Sequence, residues 1–318
     1  MIKKISSVLV MLLAGFFPGV LFPGNNSITK IGEWGTRNYL DVAVQDHYAY
    51  CAAGYAGLDI IDISNASLPK KTGNYNTPGR ATKVFVMGNY AYVADSREGL
   101  QVIDVSNPYS PTLAGYYNRE WWNAEAVYVK GKYAYVTSEF EGLDIIDISN
   151  PSSPTPVGSY NIYENWHYDG IQNVVGVAVS NNYAYITLER ISSWGDKYPE
   201  YTGEMHIIDI SVPSSPRFAG MYENLNIPMA IQVKGNFAYI GDGSEGLVVL
   251  DITDPANPNL VGNHDSRGIY DLAIDGNYVY LARYSNGLRV LDISTPTLPY
   301  DKRGFRYSWF GRRGICQR

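Results

Sequence analysis

The chain writes one phrase over and over. "EGLQVIDVSNPYSP" at 98–111 returns as "EGLDIIDISNPSSP" at 141–154 and as "EGLVVLDITDPANP" at 245–258. Laid out by their aspartates, six copies fall at Asp62, Asp104, Asp147, Asp209, Asp251 and Asp292, spaced by 42, 43, 62, 42 and 41 residues. A period near 42 built from strand-like pieces is the period of propeller blades.

Each copy carries four pieces. In the second copy an apolar strand "KVFVMGN" (83–89) runs through a Gly-Asn turn into "YAYVA" (90–94). "GLQVIDVS" (99–106) follows, and after a Pro-bracketed loop comes "TLAGYY" (112–117). The third piece is a nearly unbroken Leu/Val/Ile run, which reads as a strand buried on both faces between neighbouring blades. The fourth carries a marker glycine at Gly73, Gly115, Gly158, Gly220 and Gly262, and "TKIGEW" (29–34) puts Gly32 in the same pattern. After the sixth copy "YDKRGF" (300–305) is poor in β formers. The reading is an all-β propeller of six four-stranded blades over residues 28–300, its last blade closed by the N-terminal strand so that no edge stays open. Seven blades is the alternative, and it needs a blade the sequence does not show.

An aspartate inside an apolar run suggests an active site. Here it recurs in all six copies, each time followed by an apolar residue and then Ser or Thr. Such a carboxylate accepts N–H bonds from the next turn, which the following prolines stiffen. The six are therefore read as architecture. The phrases "GLDIIDIS", "GLQVIDVS", "GLVVLDIT" and "GLRVLDIS", each after a "YAYVA"-like strand, resemble the LVIVD repeat family. The resemblance spans roughly residues 28–300 and implies a propeller-like fold in a secreted or cell-surface setting. It implies no reaction, since that family has no shared catalytic motif to carry over.

The 318 residues carry 18% charged side chains and a net charge of −6, with no basic stripe to meet a nucleic acid. Residues 1–24 read as an export signal: Lys3 and Lys4 precede a mostly apolar run from Ile5 to Phe22, broken by Gly15, Pro18 and Gly19. An uncleaved N-terminal anchor is the other reading, and only then would the chain meet a membrane. Cleavage would take the charge from −6 to −8. With only Cys51 and Cys316, disulfides do not build the fold. Residues 301–318 form an irregular basic tail, expected either to dock on a partner or to be a disturbed end.

If the repeats are scaffold, function sits where they break. The 62-residue interval holds about 20 extra residues, in "YENWHYDGIQN" (163–173) and "LERISSWGDKYPEYTGE" (188–204). In a propeller both insertions emerge on one rim. They hold Trp166, His167, Tyr168, Asp169, Arg190, Trp194, Tyr198 and Tyr201, and the start of the third copy adds Trp121, Trp122 and Glu125. Aromatic faces beside carboxylates and amides suit sugar rings or peptide side chains. The central pore is a second candidate, lined by Arg37, Asp41, Arg80, Lys83, Arg267 and Asp271 near the starts of first strands.

Other motifs carry less. "GDGSEG" (241–246) matches Gly-x-Gly-x-x-Gly, but a strand follows where the dinucleotide motif needs a helix. Asp242 and Glu245 allow a calcium ion without EF-hand spacing. His47, His167, His206 and His264 are scattered, so no metal or other cofactor is expected. The expectation is a non-catalytic propeller that binds a glycan, peptide or surface protein through the loops of blades three and four. One alternative is a polysaccharide hydrolase or lyase using rim or pore carboxylates. The other is a structural ring in an envelope assembly.

Overall fold

The computed structural model describes residues 39–120, 122–138, 141–162, 171–191, 201–283 and 287–301. All of its named elements are strands, and they form six antiparallel four-stranded sheets set in a ring. Blade one is β1 (Asp41–Gln45), β2 (Tyr48–Ala52), β3 (Leu58–Asp62) and β4 (Lys70–Tyr75). Blade two is β5 (Lys83–Met87), β6 (Tyr90–Ala94), β7 (Leu100–Asp104) and β8 (Thr112–Tyr117). Blade three is β9 (Ala124–Lys130), β10 (Tyr133–Ser138), β11 (Gly142–Asp147) and β12 (Thr155–Asn161). Blade four is β13 (Ile171–Ser180), β14 (Tyr183–Ile191), β15 (Tyr201–Asp209) and β16 (Arg217–Leu225). Blade five is β17 (Pro228–Lys234), β18 (Phe237–Asp242), β19 (Gly246–Asp251) and β20 (Asn259–His264). Blade six is β21 (Ile269–Asp275), β22 (Tyr278–Arg283), β23 (Gly287–Asp292) and β24 (Tyr300–Asp301).

The third strands are sandwiched as their composition requires. Leu58 and Ile60 of β3 pack towards blade two with Val84, Val93 and Ile103, while Ile61 packs on the opposite face with Ala49 and Cys51. In β11, Ile145 joins the core shared with blade four and Ile146 the core shared with blade two. Alternate residues of one strand therefore serve two different blade interfaces, so neither parity of the run can be polar without a partner.

The repeat aspartates close the turn after each third strand. The carboxylates of Asp62, Asp104, Asp147, Asp209, Asp251 and Asp292 accept the backbone N–H two residues on, at 2.8–2.9 Å. Bonds from the Ser149 hydroxyl and N–H hold the Asp147 carboxyl down at about 2. Bonds from the following Ser or Thr likewise lower Asp62, Asp104, Asp209 and Asp251.

The marker glycines join blades. Each sits just after a bulge in its fourth strand. There the turn of the next blade approaches so closely that a Cβ on Gly73, Gly115, Gly158, Gly220 or Gly262 would lie 2.1–2.4 Å from the carbonyl oxygen of Pro108, Pro151, Pro213, Pro255 or Pro296. A side chain there would push the blades apart, which is the physical content of the repeated glycine.

One expectation is corrected. The fourth place of blade six is held by Tyr300–Asp301, paired as Leu291↔Asp301 and Asp292↔Tyr300. The outer strand on these rungs is thus C-terminal, not N-terminal. The Pro296–Pro299 turn returns the chain as in the other blades, and Arg289 fastens it with two bonds to Asp301, 2.7 and 2.6 Å. The segment 29–34 expected in this place, the 1–24 segment and the tail beyond 301 lie outside the described residues.

Candidate functional site

One rim collects every second-to-third strand turn together with the connections between blades. Asp95, after β6, accepts the Thr77 hydroxyl at 2.6 Å and the Gly79 N–H at 2.8 Å, both from the blade one–two connection. Asp242, ending β18, accepts the N–H groups of Asn226 and Ile227 from the blade four–five connection, at 2.8 and 3.2 Å. Asp95 is buried, and that burial raises its carboxyl to about 6 against the pull of these bonds.

The described parts of both blade-four insertions, 171–173 and 188–191 with 201–204, lie at this end of β13, β14 and β15. The β14–β15 hairpin runs out to the Ile191↔Tyr201 pair, and its strands are nine residues long where those of blade one are five or six. Near its tip the Arg190 guanidinium, on β14, donates to Glu204 at 2.8 Å, and the other Glu204 oxygen meets His206 Nε2 at 3.0 Å. Tyr201, expected at the site, is 43% exposed beside them. Trp121, Trp166, His167, Tyr168, Asp169, Trp194 and Tyr198 lie outside the described residues.

Trp122 is not the exposed platform its sequence context suggested. It is 1% exposed and belongs to the core between blades two and three, edge-on to Tyr117 at 5.4 Å. The glycine at 99 makes room for it, since a Cβ there would lie 3.0 Å from the indole. Arg119 packs over the Trp122 ring, 5.8 Å from its centroid, and its guanidinium pairs with Asp144 at 2.9 Å and with Glu141. Burial pushes the carboxyls of Asp144 and Glu141 up, against the pull of Arg119. This rim cluster escaped the sequence reading because Asp144 occupies an ordinary repeat position. Glu125 is half-buried and accepts the Asn123 amide at 3.3 Å.

Near the axis, three of the six pore candidates come together. The Lys83 ammonium of blade two stands 3.5 Å from Asp41 of blade one and 3.5 Å from Asp271 of blade six. Asp41 also accepts the Val84 N–H at 2.9 Å. Burial alone would pull the Lys83 ammonium down, but Asp271 and Asp41 outweigh it and hold it above the usual lysine range. The charge expected here is therefore partly neutralised from within, one ammonium standing between two carboxylates. Arg80 is half-buried in the blade one–two connection, Arg267 is exposed and pairs with Asp265 at 3.3 Å, and Arg37 lies outside the described residues.

The same rim carries a cleft between blades one and two that the sequence reading missed. It is half open, encloses about 540 Å³, and is lined by Tyr55, Tyr75, Asn76, Glu98, Leu113 and Tyr116, among others. Tyr55 and Tyr116 are 81% and 63% exposed. They are 61 positions apart in the chain, and only the docking of blade one on blade two makes them neighbours on one cleft.

Two chemical arrangements can be weighed directly. His264 Nδ1 meets Ser266 Oγ at 2.8 Å, with Asp301 3.8 Å from the other ring nitrogen. Ser266 is fully buried and Asp301 is bonded to Arg289, so this trio cannot present a nucleophile to solvent. Among the described residues no group of three or more His, Cys, Asp or Glu side chains could hold a metal ion. Cys51 is buried, and burial raises its thiol well above the usual range.

A family model described as the LVIVD repeat matches residues 37–77, 78–119, 123–162, 172–190, 201–224, 228–266 and 268–303, most of the chain. Seven matches cover six blades because the fourth-blade insertion splits one blade into two segments. A search of curated proteins finds no match. Among solved structures, a functionally unknown protein from Desulfotomaculum acetoxidans is similar at a TM-score of 0.62 and 12% identity, covering 81% of this chain and 83% of its own. The computationally designed Ika8 protein is similar at 0.59 and 14%, covering 86% and 77%. BamB from Moraxella catarrhalis is similar at 0.51 and 11%, covering 80% and 82%. At these identities the likeness is one of fold alone.

Proposed function

The chain belongs to the LVIVD repeat family, and from that premise we propose that it is an exported or surface-attached propeller whose work is non-catalytic binding of a glycan, peptide or surface protein. The contact face is the rim that carries the turns between second and third strands, with blade four and the neighbouring loops of blade three at its centre. The observation that carries this reading is the lengthened β14–β15 hairpin, whose nine-residue strands carry blade four further at the rim end than the five- and six-residue strands of blade one. A scaffold that needs only to close a ring has no use for one blade with long strands. The exported setting rests on the basic start and apolar run of residues 1–24.

A thermal-shift screen of the full chain against glycans and peptides tests it. A variant in which 192–200 is replaced by Asn-Gly is run beside the parent; Ile191 and Tyr201 already pair, so a two-residue turn can close the hairpin. A ligand that raises the melting temperature of the parent and not of the variant supports the reading. A shift kept in full by the variant removes blade four from the site.

A second reading has one observation in its favour. Glu141 and Asp144 share Arg119 on the blade three rim, and both carboxyls are raised by burial. Paired carboxyl groups of this kind suit acid–base attack on a polysaccharide. Release of reducing or unsaturated ends from neutral and acidic polysaccharides, abolished in Glu141→Gln and Asp144→Asn, would establish the enzyme reading in place of the binding one.

A further inference from the structure

We infer that the cleft between blades one and two is a binding subsite for a neutral oligosaccharide, with Tyr55 and Tyr116 as stacking platforms and Glu98 and Asn76 reading hydroxyl groups. The inference rests on the binding function proposed above and adds the position and chemical class of a site outside blade four.

The first support is the kind of surface. Tyr55 stands in the turn between β2 and β3, and Tyr116 near the end of β8. At 81% and 63% exposure they are platforms, not core residues. Tyr75, half-buried at the end of β4, adds a third ring, and Leu113 is the single large aliphatic side chain of the lining. An apolar peptide anchor needs a recessed aliphatic pocket. Ring faces open to water suit the C–H faces of pyranoses, whose hydroxyls stay solvated.

The second support is polar and electrostatic. The side chains of Asn76 and Glu98 are exposed and make no hydrogen bond in the described structure, and they lie along the same cleft as the rings. A carboxylate and an amide can each take two bonds from adjacent hydroxyls. No lysine, arginine or histidine lines the cleft. An anionic sugar, phosphate or sulfate would meet an unbalanced Glu98 carboxylate, which excludes an anionic ligand, and the hexalysine arm of the test separates a cation from a neutral sugar.

The third support is rigidity. The floor is formed by the blade one–two connection, where Thr77 and Gly79 are tied to the buried Asp95, and Gln101 donates to the Glu98 carbonyl at 2.7 Å. The backbone at Gly79 lies so close to Asp95 that a Cβ there would meet its carbonyl at 2.3 Å. A cleft held this way is formed before the ligand arrives, which spares the cost of ordering it on binding.

The test is titration calorimetry of the full chain with cellohexaose, mannohexaose, xylohexaose and chitohexaose. Hexagalacturonate and hexalysine serve as charged probes. At least one neutral hexasaccharide binds, and Tyr55→Ala and Tyr116→Ala each weaken it about tenfold, the loss of one aromatic platform. Both side chains are exposed, so neither truncation removes core packing. Glu98→Gln keeps the shape and weakens binding by a smaller factor.

Three outcomes overturn the inference. One is no binding of any neutral hexasaccharide. Another is hexagalacturonate or hexalysine binding in their place. The third is neutral glycan binding untouched by both tyrosine substitutions. If that third binding is lost when 192–200 is replaced, the rim function stands and only the cleft fails.

Discussion

The Lys71 ammonium donates to the Asp59 carboxylate at 2.6 Å, twelve residues further along the chain and across the β3–β4 pairing. Asp59 is fully buried and its second oxygen accepts the Tyr39 hydroxyl at 3.0 Å. The same twelve-residue step joins His206 edge-on to Phe218 at 5.8 Å and Arg289 to Asp301 at 2.7 Å. In blades one, four and six the residue three before the repeat aspartate is thus matched to the second position of the following fourth strand, and the chemistry of the match changes from blade to blade. Lys71→Met removes this ammonium from the buried Asp59 carboxylate. It is expected to cost about 3 kcal/mol, the usual loss when one partner of a buried pair is removed. Urea denaturation at pH 7 measures it.

The blade seams depend on bare backbone. Gly220→Ala places a Cβ 2.1 Å from the Pro255 carbonyl oxygen. Backbone on both sides cannot yield without shifting a blade, so the expected loss is about 1–3 kcal/mol. Gly131→Ala, with nothing within 4 Å and φ of +60°, is the control and should lose only about 1 kcal/mol from its left-handed backbone. Equal effects in the two variants would mean that the seam is not tight.

Acid and neutral pH act on different aspartates. The lowered carboxyls of Asp62, Asp104, Asp147, Asp209 and Asp251 contribute stability above their unfolded pKa, near 4, and lose it as pH falls through their lowered folded values, about 2 for Asp147. Asp95 has the opposite sign. Its folded pKa of about 6 lies above the unfolded value, so its contribution is complete below about 4 and is lost as pH rises through 6. Asp95→Asn keeps the shape and removes the charge. Relative to the parent it should gain stability between pH 4 and 7, read from melting temperatures across that range.

The Arg119 cluster makes a third titration test. In Arg119→Met, Asp144 and Glu141 keep their burial and mutual repulsion and lose their cation. The stability deficit should be largest near pH 7 and shrink towards pH 4 as the carboxyls take up protons. Trp122 fluorescence should shift at the same time, because the guanidinium packs on its ring. A deficit independent of pH would show that Arg119 acts through packing alone.

Much of the fold was legible because it is written locally and repeatedly. Asp104 closes its turn on Ser106, two residues on, and the same bond is remade in every blade. Leu143, Ile145 and Ile146 announced burial on both faces, and Ile145 and Ile146 do serve opposite interfaces. The twelve-residue pairing of Asp59 with Lys71 and of Arg289 with Asp301 was not read from the sequence, because each pair looks ordinary until the strands that bear it are seen side by side. Trp122 misled for the same reason. Its polar neighbours suggested a surface, and nothing nearby in sequence says that Gly99 makes room for it beneath Arg119.

The sequence by itself determined the blade, its four strands, its turn aspartate, its marker glycine and the count of six, because each belongs to a unit that recurs along the chain with a period near 42. Only the tertiary structure decided what depends on ring closure. It set Lys83 between Asp41 and Asp271, from blades that are neighbours only when the ring is shut. It gave the outer rungs of blade six to Tyr300–Asp301, and it put Tyr55 and Tyr116 on one cleft. A repeat specifies its own hydrogen bonds again and again, whereas a meeting of residues from different blades happens once and leaves no period to read.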